Sequence, residues 1–202
     1  MHDSLIIVVG SGKGDCELAE MCNRHTRAIF FEPLPDIAQW LRERNAESDL
    51  EVVEAACGAR HSLAAFNIYN RDGLSSSLGR ITSQAIDEFS TFDLSLRATI
   101  QVEVINLYHW LLSHGIDYVD TLVTDAQGMD LAILQTLRPM LEYGRIGHIQ
   151  CEADGVGYVS YYGLPSNSEL DFMEFMRAFP RYKASRVDGR RLCQPDLVWK
   201  YE

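Results

Sequence analysis

The chain has 202 residues, of which 47% are hydrophobic, and its 18 basic against 29 acidic side chains give a formal net charge of −11 at pH 7. That length sets one domain, residues 1–202, as the expectation, with an apolar share large enough to exclude global disorder. The acidic balance argues against a nucleic-acid partner, whose phosphates need neutralising, and no apolar run reaches the roughly 18 residues of a membrane span, so a cytoplasmic protein is expected.

Residues 4–9 (SLIIVV) form an apolar run closed by glycines, the pattern of a strand buried on both faces. Leu18, Cys22 and His25 recur at helical spacing and predict a helix over 15–25. Residues 28–31 read as a second strand, and Pro35-Asp36 opens a helix that carries Ile37, Trp40 and Leu41 on one stripe. Residues 50–55 are the third strand candidate. Alternating strands and helices with short connections predict a parallel sheet wound by right-handed crossovers.

Residues 63–70 and 99–105 alternate as the strands of an inserted hairpin, and 71–98 between them shows little framework. The earlier rhythm then returns. Leu107, Trp110, Leu111 and His114 make a helical stripe ended by Gly115, followed by a strand over 118–124, a helix over 129–141 and a strand over 146–151. Ser166 and Glu169 have capping-box spacing ahead of Phe172, Phe175, Met176 and Phe179, and Pro180 stops that helix. Residues 182–187 and 192–201 flank Asp188-Gly189 and read as a hairpin with a tight primed turn. The predicted fold class is α/β: a doubly wound, mostly parallel Rossmann-like sheet with an antiparallel edge.

Gly10-Ser11-Gly12-Lys13-Gly14-Asp15 lies between the first strand and the first helix, where bare backbone lets a ligand approach closely. A dinucleotide fingerprint would place its third glycine where Asp15 stands, and a phosphate loop needs Ser or Thr where Gly14 follows Lys13. Glu32 ends the second strand, 18 residues after Gly14, and is placed to accept hydrogen bonds from both hydroxyls of a ribose. The pair suggests an adenosine-bearing ligand without a pyrophosphate.

Asp125-Ala-Gln127-Gly128-Met-Asp130 follows the strand over 118–124, where open α/β sheets bind ligands. Asp125 reads as a base, a hydrogen-bond acceptor or a metal ligand, and Asp130 as a helix-start residue. Cys16, Cys22, Cys57, Cys151 and Cys193 contain no C-x-x-C, and the six histidines no HExxH. His109 and His114 fall on different helix faces. No G-x-S-x-G surrounds the serines at 75–77. Tyr158, Tyr161 and Tyr162 read either as a stacking surface for an acceptor or as ordinary loop aromatics.

Taken together, the glycine turn, Phe31-Glu32-Pro33, residues 53–57, the serine cluster at 74–78, LVTDAQGMDL at 122–131 and Glu152 resemble the FkbM family of S-adenosylmethionine-dependent methyltransferases. The resemblance spans nearly the whole chain, and Asp-x-Gln-Gly-x-Asp is its most specific part. It implies a class I methyltransferase fold of seven strands, the last antiparallel, with methyl transfer usually to oxygen. On that basis Gly10, Ser11, Gly12 and Gly14 would cradle the methionine part of the cofactor, Glu32 the ribose, and Ala56 and Cys57 the adenine edge, with Pro33 also among the cofactor-binding residues. Asp125 would lie against the cofactor and serve as catalytic base. Asn70, Ser75, Ser76, Ser77, Gln127 and Glu152 would face the acceptor, a small molecule or glycan.

Asp125 and Glu152 are the pair that would hold a divalent cation, a less favoured route. The chain departs from the family pattern at Val8-Val9 before Gly10, at Lys13, at Val123 and at Leu107-Tyr108. It begins close to its first strand, so residues 71–98 and 153–165, or a second copy in a homo-oligomer, are expected to cover the acceptor. Two other readings are a cofactor-binding module without turnover and, disfavoured by Asp15, a nucleotide-dependent oxidoreductase.

Overall fold

The central strands show why the apolar runs lack alternation. In β1 (Ser4–Val9) and β2 (Thr26–Phe31), Ile7, Val9, Ile29 and Phe31 enter one core, while Ile6, Val8, Ala28 and Phe30 enter a second on the opposite face. A strand covered on both sides has no solvent face to mark with polar residues. The computed structural model describes residues 4–10, 12, 26–46, 48–70, 73, 75–155, 160–164, 167–187 and 196–202. The predicted helix over 15–25 lies outside the described residues.

β1 and β2 join β3 (Leu50–Val53), β7 (Val119–Thr124), β8 (Ile146–Glu152), β9 (Tyr182–Val187) and β10 (Asp196–Tyr201) in a seven-stranded sheet ordered β3-β2-β1-β7-β8-β10-β9. Neighbours from β3 to β8 run parallel, and β10 is antiparallel to both β8 and β9. The last strand, β10, is the antiparallel one, as expected, and it lies between β8 and the edge strand β9, its partner in the terminal hairpin. Its register pairs Val187 with Asp196, whereas a two-residue turn at Asp188-Gly189 would pair Val187 with Arg190. That dipeptide lies outside the described residues.

α1 (Pro35–Arg44) starts on Pro35, whose missing N–H costs nothing in a first turn, and lays Ile37 and Leu41 on the second core. The same core takes Phe66, Val102 and Val104 from a smaller sheet, β4-β6-β5, of β4 (Ala56–Cys57), β5 (Ser62–Tyr69) and β6 (Leu96–Ile105). The antiparallel β5–β6 pair is the predicted hairpin. Residues 75–95 between them hold more structure than their sequence suggests: α2 (Ser83–Glu88) is capped by Thr82, whose hydroxyl accepts the Ala85 N–H. Tyr69, Ile81, Ala85, Leu94, Tyr161 and Tyr162 form a third, separate apolar cluster beneath it.

The first core is roofed by α3 (Leu107–Ser113), α4 (Asp130–Thr136), α5 (Arg138–Glu142) and α6 (Glu169–Met176). α4 and α5 replace the single helix predicted over 129–141. Pro139 has no N–H to continue the ladder and restricts the residue before it, so the chain breaks at Leu137. The cap of α6 is Ser168, accepting the Asp171 N–H, rather than Ser166, which lies outside the described residues. Trp199 and Phe172 stack in the middle of this core, and complete burial of such a side chain contributes about 1.5–3 kcal/mol.

Candidate active site

The order of the large sheet reverses direction between β1 and β7, and the carboxyl ends of strands on either side of such a switch point diverge to leave a crevice. Here β1, β2, β7 and β8 end in a cavity of about 470 Å³. The Gly10 N–H donates to Phe31 O (3.0 Å) and the Asp125 N–H to Val9 O (2.9 Å), so three strand ends are tied together at its floor. Gly10 has φ +79°, and a Cβ there would lie 2.1 Å from the Asp125 carbonyl oxygen. Only glycine fits that crossing.

Glu32 leaves β2 beside this crossing, its N–H donating to Val53 O at 3.0 Å. The side chain is buried and points at the glycine turn: Oε2 accepts the Gly12 N–H (3.1 Å) and Oε1 the Leu34 N–H (2.9 Å). Burial pushes its carboxyl from the ordinary 4.5 up to about 7, and the two backbone donors offset only part of that rise. A carboxylate offers about four acceptor positions, so room remains for further donors from the cavity.

Asp125, Gln127 and Glu152 form the opposite wall. Gln127 holds a left-handed backbone, φ +51°, uncommon for a residue with a side chain. Its Nε2 donates to Asp125 Oδ1 and to Glu152 Oε2 (3.1 Å), so one amide serves two carboxyl groups. Its main-chain oxygen accepts the Ser77 hydroxyl at 2.7 Å. The Tyr162 hydroxyl lies 2.6 Å from Gln127 Oε1 and 2.9 Å from Ser75 O. Burial and then the neighbouring Asp125 and Asp130 charges hold Glu152 well above the ordinary carboxylate range.

Asp130 is fully buried and accepts the Ala126 N–H at 2.9 Å, closing the turn into α4. Burial first, then the charge of Asp125, pushes its carboxyl up to about 7.

The structure places most of the sequence-derived candidates on one cavity: Gly10, Gly12, Glu32, Pro33, Ala56, Cys57, Asn70, Ser75, Ser76, Asp125, Gln127 and Glu152. Ser11 and Gly14 lie outside the described residues. Ser77 does not face the cavity. It is fully buried, its Oγ accepting the Gly79 N–H at 2.9 Å while its proton goes to Gln127 O, so it braces the wall from behind. Cys57 is buried, which pushes its thiol up and keeps it protonated. His114 stacks on Trp110 with centroids 3.8 Å apart and sits 2.8 Å from the Trp110 carbonyl oxygen, so it belongs to the end of α3. No group of three or more His, Cys, Asp or Glu converges on a metal-sized space among the described residues.

Sequence reasoning missed Phe66, Phe92, Asp93, Leu94 and Met129 on the cavity wall. Asp93 is held ionised, its carboxyl lowered by Ser95 and then Arg97. Of the tyrosines read as a stacking surface, Tyr161 lines the cavity, Tyr162 is buried with its hydroxyl turned inward, and Tyr158 lies outside the described residues. The tyrosine cluster itself was a visible signal; the direction of each ring was not.

A seven-stranded sheet with β10 reversed between β8 and β9, opening at its switch point onto a glycine turn, an acid after β2 and an acid after β7, defines the Rossmann-like class I methyltransferase fold. The methyltransferase FkbM domain matches residues 9–179, and the chain belongs to that family of S-adenosylmethionine-dependent methyltransferases. Solved structures agree on the fold. The N-terminal domain of human METTL16 in complex with SAH aligns with TM-score 0.52 and 13% identity over 98% of this chain and 62% of that one. The Methanococcus jannaschii fibrillarin pre-rRNA processing protein aligns with TM-score 0.53 and 12% identity over 100% of this chain and 67% of that one. Aeropyrum pernix fibrillarin, in complex with natively bound S-adenosyl-L-methionine, aligns with TM-score 0.52 and 9% identity over 100% and 67%. The chain thus spans a little under two thirds of the METTL16 chain. No curated protein matches this chain.

Proposed function

We propose that this chain transfers the methyl group of S-adenosylmethionine to a hydroxyl of a small molecule or glycan, with Asp125 as the base. One observation carries the reading: a single cavity at the switch point joins a buried Glu32 beside Gly12 to an Asp125 wall beside Gly10. The residues present fit the cofactor. Gly10 and Gly12 put bare backbone on the cavity wall, and Glu32 keeps acceptor positions for the two ribose hydroxyls. Ala56 and Cys57 give the cavity an uncharged wall suited to an adenine. A cavity near 470 Å³ is in the size range of ligand sites. Bound there, the cofactor supplies a methyl group on a positively charged sulfur.

The protein's own part is alignment and proton removal. Asp125 would take the acceptor's hydroxyl proton as the oxygen bonds the methyl carbon and that carbon's bond to sulfur breaks, its electron pair leaving with sulfur as a neutral thioether. Proton removal is worth about 10²–10⁴-fold for a positioned base. Phe66, Leu78 and Leu94 keep that region dry. Asn70, Ser75 and Ser76 offer polar contacts to the acceptor, and the described residues of the segments 71–98 and 153–165 serve as its cover. Support for an uncharged acceptor over a polyanionic one comes from the lining, where Glu32, Asp93, Asp125 and Glu152 are acidic and no described lining residue is basic. Among the described residues no helix is long and apolar enough to cross a membrane.

The test combines two measurements. Isothermal titration should show binding of S-adenosylmethionine and S-adenosylhomocysteine and none of NAD; the reverse pattern overturns the reading. Transfer from labelled S-adenosylmethionine into cell-extract fractions should disappear in Asp125→Ala while cofactor affinity stays within about threefold. Retained transfer removes Asp125 from its role.

A further inference from the structure

The segments around 75–82 and 160–164 are distant in sequence but form one unit in space. The Thr82 N–H donates to Tyr161 O (3.0 Å) and the Gly163 N–H to Arg80 O (2.8 Å), while the Thr82 hydroxyl reaches Ser160 O at 3.0 Å. Their apolar side chains fill the third core, and Leu164 packs so closely on Gly79 that a Cβ there would lie 2.6 Å away. This unit touches the Asp125 wall through Tyr162, which is 2% exposed. The Tyr162 ring lies against Gly128, 3.1 Å from where a Cβ would stand, and its hydroxyl reaches Gln127 Oε1.

An amide can present either end. Asp125 Oδ1 and Glu152 Oε2 both accept from its NH₂, and a carbonyl oxygen turned that way would repel Asp125 and lose both bonds. A phenol O–H facing the other end is a donor, so it selects the orientation that sends the NH₂ to Asp125 and Glu152. Burial, and then the Glu152 charge, hold the Tyr162 hydroxyl well above its ordinary pKa, so the donor persists at neutral pH.

We infer that Tyr162 is a positioning residue: its hydroxyl fixes the amide of Gln127, which in turn holds Asp125 and Glu152 in place and couples them to the 75–82 and 160–164 cover. The inference rests on the reading of Asp125 as the base, but its geometric part stands apart from any activity. The single phenol proton is shared between Gln127 Oε1 and Ser75 O, so a displacement of Ser75 by an acceptor changes the hold on Gln127.

The test uses Tyr162→Phe, which keeps the ring, with Gln127→Ala and the double variant. Nuclear magnetic resonance of the Gln127 side-chain NH₂ reads the clamp directly. In Tyr162→Phe its hydrogen exchange should accelerate about tenfold or more, while backbone amides of β7 and β8 keep their protection. Unchanged exchange of that side chain overturns the inference whether or not the chain proves to be a methyltransferase. Methyl transfer from labelled S-adenosylmethionine into the extract fraction should fall about 10- to 100-fold in Tyr162→Phe with cofactor affinity within about twofold. The double variant should be no slower than Gln127→Ala alone. Multiplying losses would show that Tyr162 acts by another path and would also overturn it. Should Tyr162→Phe fail to fold, Gln127→Glu tests the same clamp, since it replaces the NH₂ with an acceptor. Transfer as fast as the native rate in that variant would overturn the inference.

Discussion

Glu32→Gln separates the burial of this carboxyl from its hydrogen bonds. In the native protein the group titrates near 7 when folded and at its ordinary 4.5 when unfolded. The folded state therefore holds the proton more tightly, and stability is present in full below 4.5 and lost as pH rises through 7. Between about pH 5 and about pH 8 this one side chain should remove roughly 2.5 kcal/mol of unfolding free energy. Glutamine keeps one acceptor for the Gly12 and Leu34 N–H groups and turns a donor at the other, a cost of about 1–3 kcal/mol that does not vary with pH. Urea unfolding of both proteins without ligand should show Glu32→Gln less stable at about pH 5, with the gap closing or reversing at about pH 8. All other titrating groups cancel in that difference. Parallel profiles, differing by less than about 1 kcal/mol between the two conditions, would refute the claim that desolvation outweighs the two backbone donors. Ribose hydroxyls donating to Glu32 would favour its ionised form, so cofactor binding near pH 6.5 should release protons into the buffer.

Gly10→Ala places a Cβ 2.1 Å from the Asp125 oxygen at φ +79° and should cost at least about 2 kcal/mol in urea unfolding and weaken cofactor binding; near-native values would show that the strand ends do not cross so closely. Asp130→Asn keeps the acceptor for the Ala126 N–H without a charge. Because the buried native carboxyl is raised from 3.8 to about 7, the native protein loses stability over that range and the asparagine variant does not. Its melting temperature should therefore gain on the native one between about pH 5 and about pH 8, and a constant gap would contradict the assignment.

Several features are legible in the amino-acid sequence. The unalternating run of β1, the glycine turn after it, the acid 18 residues beyond Gly14 and the Asp-x-Gln-Gly-x-Asp stretch point to a parallel sheet with a ligand crevice at its switch point. Each is local: hydrophobic period, turn chemistry and spacing act within one strand–helix unit. What tertiary structure alone decided lies between such units. The pairing of β10 with β9 was legible as a hairpin, but its pairing with β8, which puts it inside the edge, joins segments distant in sequence. Ser77 turns away from the cavity to Gln127, 50 residues on, and Tyr162 turns toward the same Gln127 from 35 residues away. No periodicity encodes those contacts, because a side chain buried between segments from three parts of the chain takes its direction from where the segments meet. The identities of the site residues were set by sequence, and their orientation and protonation by burial.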